Sequence, residues 1–121
     1  MVLVEAWKQV VLARYAQFHG RAGRAEYWWF VLANFIVSAV LAALSRASAA
    51  FGVVYALYAL AVIIPSIAVG VRRLHDIGRS GWWLLIALVP LVGIIVLIVL
   101  FATEGDRGLN AYGPPPPPLP A

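Results

Sequence analysis

The sequence predicts an all-α integral membrane protein: a bundle of three transmembrane helices preceded by an amphipathic helix. Three observations carry that reading. Hydrophobic residues fill 64% of the 121 positions and charged residues 12%, against roughly 45–50% and about 25% in a soluble domain. Three stretches of 18 to 21 residues carry no charge at all, and helices of that length reach across a hydrocarbon core of ~30 Å. Aromatic clusters stand where the first and third stretches begin, at the level where aromatic belts sit. This composition argues against a soluble enzyme, a disordered chain and a free-standing nucleic-acid binder. With no cysteine in the chain, disulfides, thiolate metal sites and cysteine nucleophiles are excluded.

Residues 2–18 form the amphipathic element. Trp7, Val10, Val11, Tyr15 and Phe18 recur at helical spacing, while Glu5, Lys8 and Gln9 fall mostly elsewhere on the wheel. Such a helix lies in the cytoplasmic interface or packs on the bundle. Its charges interrupt any apolar run, so it is not a signal peptide. The predicted spans are 27–44, 51–71 and 82–102. Ala47-Ser48-Ala49 imitates a signal-peptidase site, but the segments before it are too long for one. Pro65 lies in the second span, and Pro90 with Gly93 in the third; proline removes a backbone donor and kinks a helix. Ala39/Ala43 and Ser66/Gly70 place small residues four apart, which serves helix packing or a homo-oligomer. After Ala102 the chain turns polar and glycine-rich, and residues 114–121 form a proline-rich, extended tail. Residues 1–113 make one membrane domain.

Orientation follows from charge. Lys8, Arg14, Arg21 and Arg24 precede the first span, and Arg72, Arg73 and Arg79 separate the second from the third. Only Arg46 and Arg107 fall on the other side. The positive-inside rule then places the N-terminus in the cytoplasm and the C-terminus outside.

Two cytoplasmic segments hold most of the chemistry. Arg21, Arg24, Arg72, Arg73 and Arg79 face only two carboxylates there, Glu26 and Asp76, so three arginines are left over. Arginine suits bidentate contact with phosphate, and anionic lipid headgroups or a membrane partner would supply the acceptors. Glu26, His75, Asp76 and Ser80 are expected to form a structural polar network, with Gly78 ending the second span and Ser80 capping the third. Tyr27, Trp28, Trp29, Trp82 and Trp83 are the interfacial aromatics. His75-Asp76 invites a catalytic reading, yet adjacent helical residues do not face each other and no free nucleophile stands nearby. No catalytic residue, metal ligand, cofactor or nucleic-acid partner is therefore assigned. The leading function is a non-enzymatic membrane protein that binds anionic lipid or a membrane partner through its arginine face. A transporter or channel accessory subunit and a lipid-headgroup enzyme are the alternatives. Asn34, Ser38 and Ser66 are the only charged or strongly polar candidates at mid-membrane, which argues against ion transport.

Three ordered motifs point to a family. Phe18-x-Gly20-Arg21-x-x-Arg24-x-Glu26-Tyr27-Trp28 resembles the opening motif of the YhaH-like bacterial inner-membrane family, domain of unknown function 805. Arg72-Arg73-Leu74-His75-Asp76-x-Gly78-Arg79-Ser80-Gly81-Trp82-Trp83 resembles its central motif, and Gly105-x-x-Gly108-x-Asn110-x-Tyr112-Gly113 its closing one. The resemblance implies a small integral protein of the bacterial inner membrane and carries no activity with it. Three spans put the closing motif across the membrane from the other two. Three are retained because no fourth charge-free stretch is long enough to cross.

Overall fold

In the computed structural model, which describes residues 2–117, helices account for the fold and no named strand occurs among the described residues. Helix α1 (Val2–Lys8) runs into a π-helical turn, Gln9–Ala13, closed by the Arg14 N–H donating to Gln9 O at 2.9 Å. The amphipathic helix thus stops at Ala13, short of residue 18, and it packs on the bundle. Ala6 and Val10 are fully buried, and Val10 shares a core with Ala22, Phe30 and Val69.

Helix α2 (Arg24–Ser45) is long and apolar enough to cross a membrane. At ~1.5 Å per residue its 22 residues reach about 33 Å. Helices α3 (Ala49–Ala61) and α4 (Ile63–Asp76) form a second element long and apolar enough to cross, broken only at Val62. Pro65 follows the break and has no N–H to bond back to residue 61, which explains why the helix is interrupted there. Ser48, within the peptidase-like tripeptide, caps α3 by accepting the Ala50 N–H at 3.2 Å. One hydrogen-bond relay ties α1, α3 and α2 together: the Trp7 indole donates to the Tyr58 hydroxyl at 3.0 Å, and that hydroxyl donates to Asn34 Oδ1 at 2.8 Å.

The third apolar stretch departs from expectation. It is not one spanning helix but a hairpin: a 3₁₀ segment, Gly81–Leu88, a turn at 89–91, and helix α5 (Val92–Ala102). Eight residues at ~2.0 Å and eleven at ~1.5 Å give two arms of about 16 Å each. That is about half a hydrocarbon core of ~30 Å. Pro90 causes the reversal. It biases Val89 toward extended backbone, as observed, and Leu91 takes a positive φ of 63°. The arms touch at Gly93, where a Cβ would lie 1.8 Å from Ile86 O. The tip satisfies its own backbone: the Val89, Val92 and Gly93 N–H groups donate to Ile86, Pro90 and Val89 carbonyls. Apolar surroundings demand that internal pairing. Both ends of the hairpin consequently return to the end of the bundle where α2 starts and α4 stops.

Candidate functional site

At that end the three motifs meet. Helix α4 closes with the Arg79 N–H donating to Leu74 O at 2.9 Å and Gly78 at φ +76°, after which Ser80 accepts the Trp82 N–H at 3.1 Å. The cap fixes where the buried face of α4 ends. Arg72, Arg73 and Asp76 lie on that face, and none of the three is more than 4% exposed.

Two acid-centred clusters result. Asp76 accepts Arg21 Nε on Oδ1 at 2.9 Å and Arg73 Nη1 on Oδ2 at 2.7 Å. Glu26, in the first turn of α2, accepts Arg72 Nη1 at 2.5 Å, with Arg14 3.6 Å away. Two carboxylates cannot neutralise three buried arginines, and the remaining donors go to backbone oxygens. Arg21 donates to the carbonyls of Gly108 at 2.7 Å, Gly113 at 3.1 Å, Asp76 at 3.3 Å and also Asp106. Arg73 donates to Phe101 O at 2.9 Å, Ala22 O at 3.1 Å and Thr103 O. Arg72 Nε donates to Gln17 O at 3.1 Å, while its Nη2 is buried without a protein partner among the described residues.

The carbonyls of Phe101, Ala102 and Thr103 belong to the C-terminal end of α5, which carries unpaired acceptors and partial negative charge. Arg73, the Trp28 indole (3.2 Å to Phe101 O) and Arg24 (3.4 Å to Ala102 O) supply the donors. Tyr27 packs beside them, its ring 4.6 Å from that of Phe101. Residues 105–113 then fold over Arg21 and Asp76 as a strap. The Asp106 N–H donates to Asp76 O at 2.7 Å, and Asn110 Nδ2 donates to His75 O at 2.9 Å. Asn110 and Gly113 exchange backbone bonds at 3.1 Å, closing the strap into a tight turn. Gly105 passes so near Asp76 that a Cβ would sit 1.9 Å from Oδ2, leaving room for glycine alone. The described part of the proline tail continues from the strap, with Pro116 against Gly23; residues 118–121 lie outside the described chain.

This geometry revises the expected roles. Arg21, Arg72 and Arg73, expected at lipid headgroups as surplus cations, are buried, and their guanidinium groups donate to Asp76, Glu26 and eight carbonyls. The reason is that backbone oxygens, which carry no sequence signature, compete with phosphate for the same fork. Arg24 and Arg79 remain exposed, Arg79 lying 4.6 Å over the Trp83 ring. Trp29, Trp82 and Trp83 are exposed as well, whereas Tyr27 and Trp28 are half-buried. The closing motif, expected apart from the other two, is locked against them through Arg21, His75 and Asp76. Gly105, Asp106, Asn110 and Tyr112 enter the site without having been singled out. Gly105, Asn110 and Tyr112 had only the family resemblance of the closing motif as a signal, and Asp106, at an unspecified position of it, had none.

His75 stands at the edge of the cluster. Its Nδ1 lies 2.9 Å from Gly20 O, which only accepts, so Nδ1 carries the proton. The ring stacks on Tyr112 at 4.0 Å, nearly parallel. That pair separates two clefts. One, about 620 Å³, runs between α4 and the hairpin; the other, about 580 Å³, opens beside Phe18, His19 and Gly20. Among the described residues no three of His, Asp and Glu converge into a metal-binding group.

Comparison with known proteins agrees with the motif pattern. A family model described as "Protein of unknown function (DUF805)" matches residues 15–114. The chain is 44% identical to "Inner membrane protein YhaI" of Escherichia coli strain K12, covering 91% of this chain and 94% of the relative. It is 40% identical to "Inner membrane protein YhaH" of the same strain, covering 91% and 95%. Identity to "Uncharacterized protein YiiR" is 33%, covering 79% and 83%. No solved structure matches. On the family model and on these identities over most of its length, the chain belongs to the DUF805 family.

Proposed function

We propose that the protein is a non-enzymatic inner-membrane protein with two crossing helices and one re-entrant hairpin, whose arginine end faces the cytoplasm and binds anionic lipid headgroups. One observation supports this above others: the division among the arginines. Three are consumed inside, and Arg24 and Arg79 remain exposed beside exposed tryptophans. Each exposed cation near an anionic surface contributes roughly 1 kcal/mol. The orientation rests on the positive-inside rule. With the hairpin returning, seven of the eight arginines share the end where α2 starts, and Arg46 alone lies at the other.

Orientation is testable because the chain has no cysteine. An impermeant thiol reagent applied to intact cells should label a cysteine at position 47, in the turn between α2 and α3. It should spare one at position 109, on the strap, where Leu109 is 80% exposed. Labelling at 109 without lysis would refute the cytoplasmic placement of the arginine end.

Headgroup binding is tested by the lipid that co-purifies with the protein. An Arg24→Ala/Arg79→Ala double variant should lose phosphatidylglycerol relative to phosphatidylethanolamine by roughly ten- to thirtyfold, the equivalent of two such contacts at ~1 kcal/mol each. Salt should weaken wild-type retention, since exposed charges are screened beyond ~8 Å at physiological ionic strength. Unchanged lipid content in the double variant would sink the reading.

A further inference from the structure

We propose that the cleft between α4 and the hairpin seats one phospholipid, an acyl chain along its apolar walls and the headgroup at His75 and Ser80. The proposal rests on the reading that this end of the protein lies at a lipid headgroup layer. It goes beyond that reading by assigning a defined site and residues that surface charge does not use.

The shape of the cleft carries the assignment. Its volume of about 620 Å³ falls within the roughly 300–1,000 Å³ of small-molecule sites. One wall is a stripe of α4 at four-residue spacing, Ile67, Val71 and His75. It passes from two aliphatic side chains to one imidazole. The facing wall grades the same way, from Leu85 and Leu84 to Ser80. Gly81 brings the walls together, since a Cβ there would meet Val71 Cγ1 at 2.8 Å. A surface apolar at depth and polar at one mouth is complementary to an amphiphile lying along the membrane normal.

The polar mouth has free valences. Ser80 Oγ accepts the Trp82 N–H, which leaves its O–H to donate to a phosphate oxygen. His75 Nδ1 is committed to Gly20 O, and Nε2 makes no bond to any described residue. In the neutral ring Nε2 accepts, which suits a glycerol hydroxyl of a phosphatidylglycerol head. Stacking on Tyr112 at 4.0 Å holds the ring in place. No acidic residue lines the cleft, and Arg79 is the residue before Ser80. With no carboxylate at the mouth, an anionic head meets no like charge there.

The test uses the full chain in detergent, equilibrated with phosphatidylglycerol, washed in high salt and weighed by native mass spectrometry. Wild type should retain one salt-resistant phosphatidylglycerol. Ile67→Trp and Leu85→Trp fill the cleft from positions 44% and 54% exposed, and each should lower that occupancy at least about tenfold with unchanged melting temperature. His75→Phe keeps the stacking ring but loses Nε2, and should weaken retention about tenfold, the equivalent of one lost hydrogen bond. Phosphatidylcholine, whose head has no donor for Nε2, should compete poorly. Equal retention by wild type and both tryptophan variants overturns the site, as does equal competition by phosphatidylcholine. Failure of the Arg24/Arg79 variant to lose its salt-sensitive lipid overturns only the reading beneath.

Discussion

Asp76→Asn is expected to lower the unfolding free energy by roughly 3–5 kcal/mol, the usual effect of removing one partner from a buried ion pair. Asp76 sits between Arg21 at 2.9 Å and Arg73 at 2.7 Å, with side-chain exposures of 6%, 1% and 0%. Asparagine keeps the shape but loses the charge. Its amide turns N–H groups toward one of the two guanidinium groups, so a donor faces a donor and a buried cation loses its counter-ion. Neighbouring carbonyls retain part of the binding to both arginines, and for that reason the variant should fold at low temperature. Thermal unfolding in detergent followed by circular dichroism measures the loss. Glu104→Gln is the control: Glu104 pairs with Arg107 at 3.2 Å on the surface, both more than half exposed, and such a pair contributes about 0–1 kcal/mol. Equal melting temperatures for the two variants would show that the acid-centred cluster does not hold the three motifs together.

Gly93→Ala should disrupt the hairpin by a different route. The new methyl would meet Ile86 O at 1.8 Å and Ile86 C at 2.7 Å. Both are backbone atoms, so no rotamer change relieves the contact. Overpacking in a close-packed site costs roughly 1–3 kcal/mol and occasionally more; a backbone partner puts this case at or above the upper end. Opening the arms also withdraws the Phe101 and Thr103 carbonyls from Arg73, so the site should loosen with the hairpin. Gly108→Ala meets nothing within 4 Å and should melt like wild type. Limited proteolysis of the strap together with the melting temperature reads both effects. Wild-type stability and protease resistance in Gly93→Ala would mean that the arms are not in contact.

The failure of the third predicted span has a local and a distant cause. Pro90 and Gly93 were visible as helix-weakening residues within an apolar run of 21. Length alone could not distinguish a kinked crossing from a reversal, because both bury the same residues in lipid. The deciding contacts come from Arg73 and Trp28, which hold Phe101 O at the end of the bundle where the hairpin began. The closing motif had already posed the difficulty, since three motifs serving one structure should not be split by a membrane.

The site was legible as residue types but not as partners. Arg72, His75 and Asp76 could be placed near one face of a helix from their spacing, yet each goes to a different partner: Glu26, the Gly20 carbonyl, and the Arg21–Arg73 pair. Surplus positive charge in the two arginine-rich segments reads, from sequence, as a lipid-binding face. It is instead largely an interior device, neutralised by backbone dipoles of residues distant in sequence.

Composition and the charge-free stretches by themselves determined that this chain is α-helical and made for a membrane, because a helix satisfies its backbone within lipid whatever its neighbours do. The motifs likewise carried the family. The tertiary structure alone decided whether the last apolar run crosses or returns, and which arginines meet protein and which stay exposed. Those outcomes depend on carbonyl oxygens, identical in every residue, whose positions are set only once α2, α4 and the hairpin have packed.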